Sequence, residues 1–289
     1  MVDLIVSGSS CQVLSKEISD ELNIELAMVE SGRFPDGELY LRVDSDIKGR
    51  DVAIVQSTSK HQDSNLFELL SLLETIKTEG AKEVTAVVPY FGYGRQDRSF
   101  AQGEAVTSRV IAELISKYAD KFISLNLHKS TILDFFDIEA IEGDVTPAIA
   151  EYYSTFGVKD AVIISPDKGA SGLAKNLGKH LKCEYDYLEK KRIGPGRVKI
   201  MPSNINLKGK NVIIYDDIID SGGSISEAVK LLHKQGAENI LTACIHPVLP
   251  NNAITRLFTS GVVDLVGTNT IPSQISFITV AEIISKMLK

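Results

Sequence analysis

One pattern repeats from end to end of this chain and narrows the possible folds more than any other. Short apolar runs of β-forming residues alternate with longer amphipathic stretches. The runs are Leu4–Val6, Leu26–Val29, Leu39–Val43, Val52–Val55, Val84–Val88, Phe122–Leu127, Ala161–Ile164, Val198–Met201, Val212–Tyr215, Ile240–Ile245 and Val262–Val266. The helical patterns are Asn65–Thr78, Ala105–Tyr118, Val145–Phe156, Gly172–Leu181 and Ser224–Gln235, with another running from the small residues Ser7–Ser10 to Leu22. Apolar runs without internal alternation predict strands buried on both faces, as in parallel sheets. Their alternation with helices predicts an α/β architecture. A single eight-fold barrel would suit the length. However, Leu26–Val29, Leu39–Val43 and Val52–Val55 follow one another without helices between them. That breaks the barrel rhythm and suits an open sheet carrying a hairpin flag.

The length of 289 residues suggests two domains at about 150 residues each. A faint internal echo agrees. Ile5-Val-Ser-Gly-Ser-Ser-Cys-Gln-Val-Leu-Ser-Lys16 resembles Ile163-Ile-Ser-Pro-Asp-Lys-Gly-Ala-Ser-Gly-Leu-Ala-Lys175, each reading strand, tight turn, helix. The expectation is two similar open-sheet α/β domains in tandem, residues 1–142 and 143–289. The last helix is left free to pack on the N-terminal domain. With 44% hydrophobic and 24% charged residues, the chain is no disordered polymer. No apolar run approaches the ~18–20 residues that span a bilayer. The net charge of −7 argues against non-specific nucleic-acid binding, so a polyanionic ligand must be held by a local concentration of cations, amides or metal. The three cysteines are far apart and form no C-x-x-C pair, which argues against a disulfide framework or structural zinc. No secretory leader pattern opens the chain, and a reducing cytoplasm is the expected compartment.

The richest segment is Val212-Ile-Ile-Tyr-Asp-Asp-Ile-Ile-Asp-Ser-Gly-Gly-Ser224. An apolar strand is expected to end in Asp216 and Asp217. Asp220 follows, and Ser221, Gly222, Gly223 and Ser224 open a helix. Glycines let backbone approach a ligand, and free amides at a helix N-terminus favour phosphate. Two carboxylates beside a phosphate would repel it, so they need another task. Holding the vicinal hydroxyls of a ribose, directly or through a metal, fits. The plainer reading is capping by Asp220 and Ser221 beside solvated acids. No G-x-x-x-x-G-K-[ST] motif occurs, which excludes a Walker-type nucleotide site.

Asp216–Ser224 resembles the phosphoribosyl-binding loop shared by phosphoribosyltransferases and phosphoribosyl diphosphate synthases. Arg33-Phe-Pro-Asp-Gly-Glu38, Pro89-Tyr-Phe-Gly-Tyr-Gly-Arg-Gln-Asp-Arg98, Leu127-His128 with Phe135-Phe-Asp137, and Ser165-Pro-Asp167 resemble motifs of the ribose-phosphate diphosphokinase family, in that family's order. Transferases carry the sugar loop but not this series. The resemblance implies a magnesium-dependent transfer of the diphosphoryl group of ATP to the C1 hydroxyl of ribose 5-phosphate, giving 5-phosphoribosyl 1-diphosphate and AMP.

Residue by residue, the resemblance assigns Phe34, Asp36, Gly37 and Glu38 to an adenine pocket that completes a neighbouring subunit's site. The active unit would then be a homo-oligomer, at least a dimer. A ring can stack on adenine and a carboxylate can accept from its amine, although read alone Pro-Asp-Gly is a turn. Arg95 and Gln96 are assigned to ATP, at a strand's carboxyl end where α/β sheets bind ligands. His128 and Asp167 are assigned to Mg²⁺; read alone, they are a packed histidine and a helix-start aspartate. In Tyr187-Leu-Glu-Lys-Lys-Arg-Ile-Gly-Pro-Gly-Arg197 the resemblance makes Lys190 and Arg192 the catalytic cations, with Arg192 also on the sugar substrate. Asp216, Asp217, Asp220, Ser221, Gly222, Gly223 and Ser224 would hold ribose 5-phosphate. The sequence departs from the family at Asn126 and Ile141, where acids are common, and at Ser221 and Ser224, where threonines are common. A catalytically silent regulatory relative and a phosphoribosyltransferase remain the alternatives.

Overall fold

The computed structural model describes residues 2–158, 160–194, 197–201 and 204–289, with the side chains of residues 190–200 outside that description. The chain divides into two compact units. One holds the residues up to Asp144 with Thr270–Pro272 and Thr279–Lys289; the other holds Val145–Asn269 and Ser273–Ile278.

The first unit runs β1 (Leu4–Ser7), α1 (Gln12–Leu22), β2 (Glu25–Arg33), β3 (Leu39–Asp44), β4 (Asp51–Val55), α2 (Gln62–Thr78), β5 (Glu83–Val88), α3 (Thr107–Ser116), β6 (Lys121–Leu125) and β7 (Glu139–Gly143). Its seven-stranded sheet has the order β3-β2-β1-β4-β5-β6-β7. Every pairing is parallel except β2 with β3. The central strands are continuous apolar runs because helices cover both faces. On one face Leu69, Leu72, Leu73 and Ile76 of α2 and Ile111 and Ile115 of α3 pack onto Val52, Ile54, Val84, Ala86 and Val88. Their three- and four-residue spacing is the helical period. By contrast β3 alternates, half-burying Leu39, Leu41 and Val43 while exposing Tyr40, Arg42 and Asp44. It lies at the edge of the sheet, where one covered face is enough to select alternation.

The second unit runs α4 (Thr146–Thr155), β8 (Val162–Ser165), α5 (Ser171–Leu181), β9 (Glu184–Tyr187), β10 (Lys190–Gly194), β11 (Arg197–Ile200), β12 (Asn211–Ile219), α6 (Gly223–Lys234), β13 (Asn239–Pro247), α7 (Ala253–Ser260), β14 (Val262–Thr268) and β15 (Ser276–Ile278). Its six-stranded sheet, β15-β14-β13-β12-β8-β9, is parallel throughout. Strands β10 and β11 form a separate antiparallel pair. Ile225, Ala228, Val229 and Leu232 of α6 pack on Val162, Ile164, Val212 and Ile214. The final helix α8 (Ala281–Leu288) belongs to the first unit and packs on α1, where Thr279 Oγ1 donates to Glu17 at 2.5 Å.

Two strand ends differ from the sequence reading, and both bear on the site. The strand expected to run to Leu127 stops at Leu125. Asn126 turns the chain with φ of 37°, so His128 stands on a loop. The strand whose apolar run reaches Tyr215, expected to end in Asp216 and Asp217, continues to Ile219, because β13 offers it pairing partners as far as Pro247. Asp216 and Asp217 therefore lie two or three residues inside the strand rather than at its last positions.

Candidate active site

In the first unit three segments carry the predicted residues. Phe34, Asp36, Gly37 and Glu38 form the tip of the β2–β3 hairpin. The Phe34 carbonyl accepts from Gly37 N at 2.8 Å and the Phe34 amide donates to Glu38 O at 2.9 Å. Gly37 has φ of +96°, the left-handed position that closes a three-residue hairpin loop. Asp36 Oδ1 accepts from Glu38 N at 3.2 Å and Arg33 donates to Gly37 O at 2.6 Å. The tip is thus rigidified by its own atoms, while Phe34 keeps 51% of its surface exposed with one edge against Tyr40.

Arg95 and Gln96 lie on the loop after β5, both exposed. The Gln96 carbonyl accepts from Ser108 Oγ at 2.8 Å, and its side-chain oxygen accepts from Thr107 Oγ1. Earlier in the loop, Gly92 N donates to Thr58 Oγ1 at 2.7 Å and Tyr90 N donates to Ser57 Oγ at 3.1 Å. Tyr93 donates to Asp63, and that bond to a carboxylate raises the phenol's pKa. The loop passes His128 closely: a Cβ on Gly94 would lie 3.8 Å from the His128 Cβ. His128 itself is exposed.

In the second unit the acids gather at the carboxyl end of β8 and β12. Asp167 follows β8 in extended conformation, and its Oδ1 accepts from Gly169 N at 2.9 Å and Ala170 N at 3.3 Å. It therefore does cap a helical turn. Asp216 Oδ1 accepts from Asp217 N at 3.0 Å, and Asp217 Oδ1 from Ile218 N at 2.9 Å. Burial pushes the Asp216 carboxyl well above the usual carboxylate range, and the charges of Asp217 and Asp167 push it further. Burial, with the charge of Asp216, likewise raises the Cys244 thiol. Close carboxylates that raise one another's pKa cost stability when ionised. Oxygen donors in this state suit ligand hydroxyls or a hard divalent cation. Among the described residues, however, no three His, Cys, Asp or Glu side chains converge in a group able to hold a metal ion.

Asp220 and Ser221 are exposed beyond β12, and Gly222, with φ of +73°, is the N-cap of α6. The N-cap position itself is a glycine, which has no side chain to offer the helix amides. Gly223 and Ser224 supply the first amides of α6. A residue absent from the sequence reading also reaches this turn. Arg256 of α7 donates from its guanidinium to the Ser221 carbonyl at 3.1 Å. The predicted cations Lys190 and Arg192 fall on β10, where they pair with Ile200 and Val198 of β11; their side chains lie outside the described residues.

Family comparisons meet this geometry from both sides. Residues 4–118 match the N-terminal domain of ribose phosphate pyrophosphokinase, and residues 132–274 match the phosphoribosyl transferase domain. The ribose-phosphate pyrophosphokinase of Methanothermobacter thermautotrophicus is 42% identical over 99% of this chain and all of its own. That of Methanobrevibacter smithii is 41% identical with equal coverage. The chain belongs to the ribose-phosphate pyrophosphokinase family. The crystal structure of phosphoribosylpyrophosphate synthetase from Mycobacterium smegmatis superposes with a TM-score of 0.90 at 27% identity, covering 99% of this chain and 97% of that one. The tandem open-sheet fold expected from the sequence is therefore the fold of the pyrophosphokinase family.

Proposed function

We propose that this chain is a ribose-phosphate diphosphokinase, transferring the diphosphoryl group of ATP to the C1 hydroxyl of ribose 5-phosphate and releasing AMP. The carrying observation is full-length kinship with named ribose-phosphate pyrophosphokinases in a chain whose Asp216–Ser224 turn leads through a glycine N-cap into α6. A phosphoribosyltransferase would not need the N-terminal domain that matches over residues 4–118. A silent regulatory relative is disfavoured because Lys190, Arg192, His128 and Asp167 are all retained.

The anomeric hydroxyl oxygen attacks the β-phosphorus and gives up its proton, the bond to the α-phosphate bridging oxygen breaks, and AMP leaves with that oxygen, so one proton is released overall. Such a transfer depends on positioning and charge neutralisation more than on a strong base. Phe34, Asp36, Gly37 and Glu38 take the adenine, and Arg95 and Gln96 the polyphosphate, where a guanidinium fork matches phosphate oxygens. Asp216 and Asp217 accept from the ribose hydroxyls. Asp220, Ser221, Gly222, Gly223 and Ser224 hold the 5-phosphate against the start of α6. Lys190 and Arg192 meet the charge that develops on the transferred group. Mg²⁺, when bound, offsets polyphosphate charge, and His128 and Asp167 are the residues that would hold it.

Among the described residues no helix is long and apolar enough to cross a membrane, and we place the enzyme in the cytoplasm as a homo-oligomer. The exposed flag tip supports a pocket completed between subunits. Purified chain with Mg-ATP and ribose 5-phosphate should release AMP only when both substrates are present. Lys190→Ala should reduce that release ~10²–10³-fold with the fold intact. AMP release that ignores ribose 5-phosphate would overturn the reading. Mixing Phe34→Ala/Glu38→Ala with Lys190→Ala should restore part of the activity after subunit exchange. Confirmed exchange without recovery would mean that each chain supplies its own flag.

A further inference from the structure

The turn assigned to the sugar phosphate has an electrostatic difficulty. From Asn211 to Val229 the sequence contains Asp216, Asp217, Asp220 and Glu227 but no lysine or arginine. The start of α6 offers only partial positive charge, roughly half an elementary charge. A dianionic phosphate placed there needs a cation from elsewhere, and it needs the turn's amides aimed at it.

Both needs converge on α7. Leu257, fully buried, packs beneath Gly222: a Cβ on that glycine would come within 3.1 Å of the Leu257 side chain. The preceding residue, Arg256, is exposed and donates to the Ser221 carbonyl at 3.1 Å. Ser221 C=O and Gly222 N–H belong to one peptide unit, and in a trans peptide they point in opposite directions. Fixing the carbonyl toward Arg256 therefore turns the Gly222 amide the other way. This control has something to act on, because Gly222 sits at φ of +73°. Glycine tolerates both signs of φ, so without an outside hold the peptide before it is free to rotate.

We infer that Arg256 is a positioning residue for the phosphate-binding turn. It locks the Ser221–Gly222 peptide with its amide away from α7 and brings the turn a full positive charge. It acts through the Ser221 carbonyl and from the rim. Substitution should therefore change affinity for the phosphorylated sugar while leaving the second unit's core alone.

The inference rests on reading Asp220–Ser224 as the ribose 5-phosphate turn, and the test separates the two. Full-length wild type, Arg256→Gln and Arg256→Lys are titrated calorimetrically with ribose 5-phosphate, and both Michaelis constants are measured. Arg256→Gln should weaken ribose 5-phosphate about tenfold, the scale of one charge-assisted hydrogen bond. The KM for ATP should stay within about twofold of wild type, and kcat at saturating sugar should fall less than kcat/KM. Arg256→Lys keeps the charge and one donor, so it should recover most of the loss. It also carries the test alone if the glutamine variant melts early. Wild-type binding in Arg256→Gln, equal weakening of both substrates, or a lysine variant no better than glutamine would overturn the assignment of Arg256. A wild-type chain that fails to bind ribose 5-phosphate would overturn the reading of the turn itself.

Discussion

The same position in the two sheets is used in opposite ways. Across β1 and β4 Val6 pairs with Ile54, and across β8 and β12 Ile164 pairs with Ile214. Counting on from those pairs, Gln56 and Ser57 stand in the first unit where Asp216 and Asp217 stand in the second, and Ser9 stands where Asp167 does. In the first unit the position is filled by the protein's own hydrogen bonds. Ser10 N and Oγ donate to Gln56 Oε1 at 3.0 and 2.6 Å, while Gln56 Nε2 donates to Glu68 at 3.0 Å. Ser9 N and Oγ also donate to Glu68, at 2.8 and 2.5 Å. Ser57 and Thr58 bracket the loop bearing Arg95 and Gln96. In the second unit the equivalent atoms are carboxylates that repel one another, shortly before the glycine N-cap of α6. A satisfied buried network stabilises and rigidifies; acids whose charges raise one another's pKa cost stability. One unit spends this place on holding a neighbouring loop, and the other fills it with the acids that the proposed function assigns to ribose 5-phosphate and Mg²⁺.

The sharpest way to break the contrast is to give the first unit a carboxylate. Gln56→Glu removes the Nε2 donor and sets a second acid against Glu68 in a fully buried site. A buried charge without a partner costs about 3–5 kcal/mol, and urea unfolding should show that loss. A change below about 1 kcal/mol would mean that the network tolerates the charge its counterpart carries.

The reverse exchange is Asp216→Asn. It should lower turnover with ribose 5-phosphate about 10- to 100-fold, through the loss of charge-assisted bonds to the sugar. It should also make the ligand-free protein more stable near neutral pH. A carboxyl whose folded pKa is raised lowers stability above the ordinary carboxylate range, and the deficit vanishes as pH falls to where both states are protonated. The melting advantage of the variant over wild type should therefore shrink toward about pH 4. An advantage that grows on acidification would contradict the raised Asp216.

The contrast also explains what could be read before the structure. Val84–Val88 and Val212–Tyr215 announce buried strands because nothing polar interrupts them, and the matched segments Ile5–Ser7 and Ile163–Ser165 betray two similar halves. Asp216–Ser224 was legible because strand, acids, glycines and helix start lie in one local stretch. Strands β7 and β9 were not: Glu-Ala-Ile-Glu-Gly and Glu-Tyr-Asp-Tyr carry no apolar run, because sheet-edge strands need less burial. Arg256 was illegible because its contact spans 35 residues and starts from an eight-residue helix. Glu68 was hidden for a related reason: on α2 its charge reads as solvent-facing, and only the fold buries it against Ser9 and Gln56.

The smallest expected effect concerns the bracket that replaces a ligand in the first unit. Thr58 is buried, and its Oγ1 accepts from Gly92 N at 2.7 Å while lying 3.2 Å from the Tyr90 carbonyl to which it donates. Thr58→Val keeps the shape and deletes both bonds, leaving the Gly92 amide without that acceptor at a cost of about 1–3 kcal/mol. If the bracket positions the loop for ATP, KM for ATP should rise about 3- to 10-fold while KM for ribose 5-phosphate holds. Thr58→Ser, which restores the hydroxyl, should bring the ATP value back. A loss of stability without any split between the two Michaelis constants would reduce Thr58 to core packing. The filled turn would then be a structural plug, with no part in aiming Arg95 and Gln96.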